Sequence, residues 1–153
     1  MSSTEDGVVR FFNLTTGEVT ERALDTEWGC EFARINEDYI GKRNRYAYAA
    51  RIAGDTLESG FDGIIKYDLV AGTSQHYAYG PGRLGGEPIF APKPGGERED
   101  DGWVIAYLYD AREDRSDVVI LHAQDFSADP VATIQLPARV PFGFHGSFVP
   151  DEG

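Results

Sequence analysis

The sequence predicts an all-β fold, an open section of a β-propeller with about two and a half four-stranded blades. Three observations carry this. Alternating or β-branched and aromatic runs recur along nearly the whole chain, with turn formers between them. No segment sustains a 3.6-residue apolar period between helix caps. The runs also repeat at a spacing in the fifties, the length of a four-stranded blade.

Strand-like runs fall at 8–14, 46–51, 63–68, 75–79, 103–109, 118–122 and 131–136. Thr16-Gly17, Ala71-Gly72, the Pro- and Gly-rich stretch 92–102 and the segment 127–130 separate them. Glu31-Phe32-Ala33 and Glu87-Pro88-Ile89-Phe90 each open a set of four strands, 56 residues apart. The second strands start at Tyr46 and Trp103, the third at Ile64 and Val118, and the fourth near Ser74 and Val131, with spacings of 57, 54 and 57. Half a unit precedes them, since Arg10-Phe11-Phe12-Asn13-Leu14-Thr15-Thr16-Gly17 echoes Lys66-Tyr67-Asp68-Leu69-Val70-Ala71-Gly72. The expected organisation is a blade remnant at 7–25, blades at 30–80 and 86–137, and a closing inner strand at 143–150. Closed propellers need roughly four to eight blades, so this arc is expected to be completed by blades supplied elsewhere.

Composition excludes several classes. At 153 residues with 41% hydrophobic and 12% aromatic residues, the chain can bury a core. No apolar run approaches the ~20 residues of a transmembrane span, and Met1–Gly7 has neither the basic start nor the apolar stretch of a secretory signal. The expected location is the cytoplasm, or the periphery of a membrane. The net charge of −12 repels phosphates, so nucleic acid is not an expected partner. So acidic a chain is common in high-salt organisms. If this one is adapted to salt, its thermal midpoint rises between low and molar salt, and equal midpoints would exclude that adaptation. The single cysteine, Cys30, has no partner for an internal disulfide and reads as a small apolar strand residue.

Three histidines are present. His76 alternates with aromatic residues in Ser74-Gln75-His76-Tyr77 and reads as a surface or edge residue, and His122 closes a third strand in the same way. His145 lies in Val140-Pro141-Phe142-Gly143-Phe144-His145-Gly146. Blades run outward from the channel, and by blade order 144–149 is the next innermost strand. Glu31 and Glu87 open the innermost strands of their own blades, so the three residues converge on the channel. A buried carboxylate needs a partner, and a metal-bound imidazole that donates its other N–H is a good one. On the residues alone, packed or capping roles for all three remain the broader reading.

Several stretches in series resemble the carotenoid cleavage oxygenase family. They are Cys30-Glu31-Phe32-Ala33-Arg34-Ile35-Asn36, Arg45-Tyr46-Ala47-Tyr48 and Gly86-Glu87-Pro88-Ile89-Phe90-Ala91-Pro92. Further on come Glu99-Asp100-Asp101-Gly102-Trp103, Leu121-His122-Ala123-Gln124-Asp125-Phe126 and Pro141-Phe142-Gly143-Phe144-His145-Gly146. The resemblance covers nearly the whole chain and places it at the C-terminal end of the family's seven-bladed propeller.

The resemblance implies a non-haem Fe(II) dioxygenase that uses O2 to cleave a conjugated double bond of a carotenoid, apocarotenoid or stilbene. In that family four histidines hold iron on the axis and glutamates support three of them. His145 matches the last iron ligand, Glu31 and Glu87 match two supporting glutamates, and Phe142 and Phe144 match apolar groups near the substrate tunnel. Two positions depart from the family pattern. His122 stands where Asp or Asn is usual, and Ala33 where Pro often follows Glu-Phe. The other three histidines would belong to blades outside this chain. It is therefore expected to be inactive alone and to need an N-terminal propeller portion before Fe(II) is retained. From a different class, a non-catalytic propeller-derived binding or structural module remains the alternative.

Overall fold

Alternation along the chain becomes eleven strands in the computed structural model, which describes residues 8–54 and 57–151. The expectation about a signal, on residues 1–7, and the first residue of the expected 7–25 remnant lie outside the described residues. Strands β1 (Val8–Phe12) and β2 (Val19–Ala23) pair as a separate antiparallel hairpin. Then follow β3 (Cys30–Arg34), β4 (Tyr46–Ile52), β5 (Phe61–Asp68) and β6 (Thr73–Ala78), paired antiparallel in that order. A second set comprises β8 (Ile89–Pro92), β9 (Gly102–Asp110), β10 (Arg115–His122) and β11 (Ala132–Gln135), paired in the same manner. The only helices among the described residues are two 3-10 turns, Glu37–Tyr39 and Leu57–Ser59.

Two elements depart from the expected pattern. A three-residue strand, β7 (Arg83–Gly85), joins the sets: Gly85 pairs with Phe61 of β5, and all three residues pair with 108–110 of β9. The expected closing strand at 143–150 is not formed, because no other strand lies alongside it among the described residues to accept its backbone hydrogen bonds.

The predicted hairpin echo is a shared turn chemistry. Asn13 Oδ1 accepts the N–H groups of Thr15 and Thr16, and Asp68 Oδ1 accepts those of Val70 and Ala71. Each turn closes on a glycine four residues on, Gly17 at φ 74° and Gly72 at φ 69°. That left-handed conformation costs glycine little.

Burial shows how the two sets stack. Tyr48 and Ile64 face Val104, Ala106, Leu108, Val119 and Leu121 in one core, sealed by Phe90 and Phe126. The intervening residues Ala47, Ala49, Ile65 and Tyr67 form a second core on the opposite face, with Leu24 and Cys30 against it. The central strands β4 and β5 of the first set are thus buried on both faces. On β9 burial alternates, with Trp103, Ile105 and Tyr107 left partly or largely exposed. One face of the last set is uncovered.

Charged groups lock the sets together. The loop before β9 crosses to the first set, where Lys66 Nζ meets Asp100 at 2.8 Å and the Glu99 carboxylate accepts the backbone N–H groups of Arg45 and Tyr46. On the other side Arg83 of β7 pairs with Asp110 and Asp117, and Arg115 also pairs with Asp117. Asp117 is fully buried.

Candidate functional site

The site begins with the chain leaving β7. A Cβ on Gly85 would stand 2.4 Å from the buried Tyr79 ring, so only glycine lets this strand pass between β5 and β9. The next residue, Gly86, donates its N–H to the Tyr107 carbonyl at 3.2 Å. Glu87 follows, with its side chain only 6% exposed, and Pro88 behind it is fully buried. An anchored backbone thereby holds a carboxylate in a largely apolar setting, where it needs polar partners.

The partners come from three elements. Glu87 Oε1 lies 3.3 Å from His145 Nδ1, and Oε2 accepts the Gly146 N–H at 2.8 Å. Arg34, at the end of β3, places a guanidinium nitrogen 3.6 Å from Glu87 Oε1 and donates another N–H to the Gly146 carbonyl at 3.2 Å. Arg34 also binds Glu37 at 2.7 Å. Arg34 belongs to a stretch used for family resemblance, but its role is tertiary: its contact with Gly146 spans 112 residues.

Phe32 supplies the apolar wall. One extra residue bulges β3 between Glu31, opposite Ala50, and Arg34, opposite Tyr48. Phe32 sits in the bulge at φ 55°, an uncommon conformation for a bulky residue and one that concentrates at functional sites. Its ring meets His145 edge-on at 5.5 Å and Phe61 at 5.2 Å.

Beside His145 two apolar hollows adjoin. One of about 230 Å³ is lined by Leu84, Tyr107, Leu108, Phe142 and His145. The other, of about 390 Å³, is lined by Phe32, Phe61, Leu84, Phe142 and Phe144. Phe142 and Phe144 are themselves exposed beside these hollows.

Not every expected residue converges here. No hydrogen bond or ion pair joins Glu31 to His145 among the described residues, although both Glu31 and Glu87 were expected at the channel. His76 packs elsewhere, against Trp28, with Ser74 Oγ 3.1 Å from its Nε2. His122 is exposed at the end of β10. Among the described residues no group of three His, Cys, Asp or Glu side chains stands ready to hold a metal ion.

His145 nonetheless suits one place in a metal-ligand set. Glu87 takes its Nδ1 edge, fixing which nitrogen carries the proton when the imidazole is neutral, and the ring is otherwise 73% exposed. That leaves Nε2 for a metal.

Comparison with known proteins places these features in context. The chain matches the sequence profile described as retinal pigment epithelial membrane protein over residues 4–150. It is 40% identical to carotenoid 9,10(9',10')-cleavage dioxygenase 1 of Phaseolus vulgaris, over 92% of this chain and 28% of that protein. It is 38% identical to the apocarotenoid-15,15'-oxygenase of Synechocystis, over 91% and 28%. The carotenoid cleavage oxygenase of Mycobacterium tuberculosis is 37% identical over 90% and 28%. The chain thus spans under a third of the length of these relatives. Among solved structures, the cobalt-substituted Synechocystis apocarotenoid oxygenase superposes with a TM-score of 0.83 at 32% identity, over 97% of this chain and 32% of that one. A mutant of the same oxygenase gives 0.83 at 33% identity, over 95% and 32%.

Proposed function

The chain belongs to the retinal pigment epithelial membrane protein family of carotenoid cleavage oxygenases, and from that premise we propose that it forms the C-terminal part of a non-haem Fe(II) dioxygenase. Its substrate class is a conjugated polyene, a carotenoid or apocarotenoid, or a stilbene. The observation that carries the reading is the Glu87–His145 contact at 3.3 Å beside an apolar hollow. We read the blades as 7–25, 30–80 and 86–137, and the protein as cytoplasmic or peripheral to membranes; no helix among the described residues is long and apolar enough to cross one.

Each residue has a distinct task. His145 donates Nδ1–H to Glu87, which leaves the Nε2 lone pair for the metal and makes the imidazole a stronger donor. Neutral imidazoles suit ferrous iron. Bound iron would supply activation of O2 for scission of one double bond into two carbonyl products. Phe32, Phe142 and Phe144 offer apolar surface that orients a polyene and excludes water. Glu31 is reserved for an imidazole supplied by a blade outside this chain, which accounts for its lack of contact with His145. The three further histidines come from that N-terminal propeller portion.

The test measures iron content and cleavage of a β-apocarotenal by the chain alone and mixed with such an N-terminal portion. Iron uptake and two carbonyl products are expected only in the mixture. Activity of the chain alone would overturn the claim of incompleteness. A mixture that assembles but binds no iron would favour a non-catalytic module.

A further inference from the structure

We infer that Arg34 is a positioning residue that presents Glu87 to His145; this rests on the reading of His145 as a metal ligand supported by Glu87. Three observations converge on it. Arg34 bridges two different parts of the same small cluster: one guanidinium nitrogen stands 3.6 Å from Glu87 Oε1, and another donates to the Gly146 carbonyl at 3.2 Å. Glu87 completes the ring, with Oε2 on the Gly146 N–H at 2.8 Å and Oε1 on His145 Nδ1 at 3.3 Å. Gly146, the residue after His145, is therefore held at both its N–H and its carbonyl, by two side chains of opposite charge that also face each other.

Geometry gives Arg34 this task. The β3 bulge at Phe32 resets the strand register just before Arg34, whose side chain is 22% exposed. A guanidinium is planar and always charged, and its donors sit on separate nitrogens, so one nitrogen faces the carboxylate while another serves the carbonyl. A lysine ammonium carries its three donors on a single nitrogen and does not span the two in this way. Glu37 takes the same terminal nitrogen at 2.7 Å, which restricts the guanidinium from the solvent side. Without Arg34, the carboxylate keeps the Gly146 N–H but loses the charge beside Oε1. The His145 segment, which belongs to no strand, then loses one of its two anchors.

The experiment uses the 153-residue chain, isotopically labelled and metal-free, at a pH where histidine is neutral. Imidazole nitrogen shifts report the His145 tautomer, and amide exchange reports the Gly146 N–H. The unsubstituted chain is expected to show the Nδ1–H tautomer in excess. Glu87→Gln tests the underlying contact. With Oε2 still on Gly146, the amide nitrogen replaces Oε1 and donates to Nδ1, so the ring switches to Nε2–H. Arg34→Met is expected to reduce the Nδ1–H excess and to speed Gly146 exchange about tenfold, while signals from the buried core stay in place.

A switch with Glu87→Gln and no change in either signal with Arg34→Met would overturn the role of Arg34 alone. No switch with Glu87→Gln would overturn the Glu87–His145 reading itself. Should Arg34→Met fail to fold, Arg34→Lys decides: faster Gly146 exchange supports the bridging role, and unsubstituted-chain values for both signals overturn it.

Discussion

Replacing Arg83 with methionine is expected to lower the free energy of unfolding by about 3–5 kcal/mol, among the largest losses from any single change outside the hydrophobic cores. Arg83 lies on β7, the short strand that stitches the two four-stranded sets together, and pairs with both Asp110 and Asp117. Asp117 has no exposure, so after the change it depends on Arg115 alone, whose side chain is 33% exposed. A buried carboxylate deprived of a cation retains its desolvation cost and loses the interaction that offset it. Urea unfolding monitored by tryptophan fluorescence checks this. The midpoint falls, with the slope unchanged if both states keep their compactness.

A second variant tests the mechanism. Arg83→Met combined with Asp117→Leu is expected to be more stable than Arg83→Met alone, because it removes the stranded charge. If the double variant loses as much as the two single changes summed, charge pairing is not the cause. Asp110 behaves differently, since it keeps its main cation. Arg112 is the first cause of its carboxyl being drawn down to about 2, with desolvation opposing. Its folded-state pKa is depressed, so its stabilising contribution is present above pH ~4 and lost as pH falls through about 2. That contribution should survive the loss of Arg83.

The companion prediction concerns the core. Phe126→Ala is expected to cost about 3–5 kcal/mol, a large share of the roughly 5–15 kcal/mol that a domain has in total. Phe126 is 2% exposed and stacks on Tyr48 at 6.0 Å, and Tyr48 stacks in turn on Phe90 at 5.5 Å. The three rings come from the first set, the second set and the loop after β10, so their cavity opens where both sets meet. The surroundings cannot close it without separating the sets. Ile134→Ala provides the contrast. Ile134 is 49% exposed on the last strand, and its removal is expected to change stability by no more than about 0.5 kcal/mol. Equal losses for the two would mean that Ile134's face is covered in solution.

Not every element was equally legible in the sequence. The long runs that became β4, β5, β9 and β10 carry strong alternation or β-branched content, and they lie where that pattern put them. Strand β7 gave no such signal. Three residues, Arg83-Leu84-Gly85, show no period and become a strand only because Phe61 and β9 flank them. Strand β2 carried no run of its own and was implied only by the hairpin turn before it, since Val19-Thr20-Glu21-Arg22-Ala23 is exposed throughout and has no buried face to mark it. The segment 143–150 shows the converse error. Its aromatic content suits a strand, yet a strand needs a neighbour.

His145, Glu87 and the flanking aromatic residues were legible because their types and order resemble a known family, and the blade spacing put both glutamates at equivalent positions. Arg34 was not, because nothing local distinguishes an arginine that closes a site from one that faces solvent. By itself, then, the sequence determined the all-β character, the repeated four-stranded units and the hairpin turns. These follow from side-chain alternation and turn chemistry, both properties of neighbouring residues. Only the tertiary structure decided that Glu87 rather than Glu31 meets His145, that Arg34 ties them to Gly146, and that one face of the last set is left open. Such outcomes depend on contacts between residues as much as 112 apart and on which strands find partners, and packing settles both.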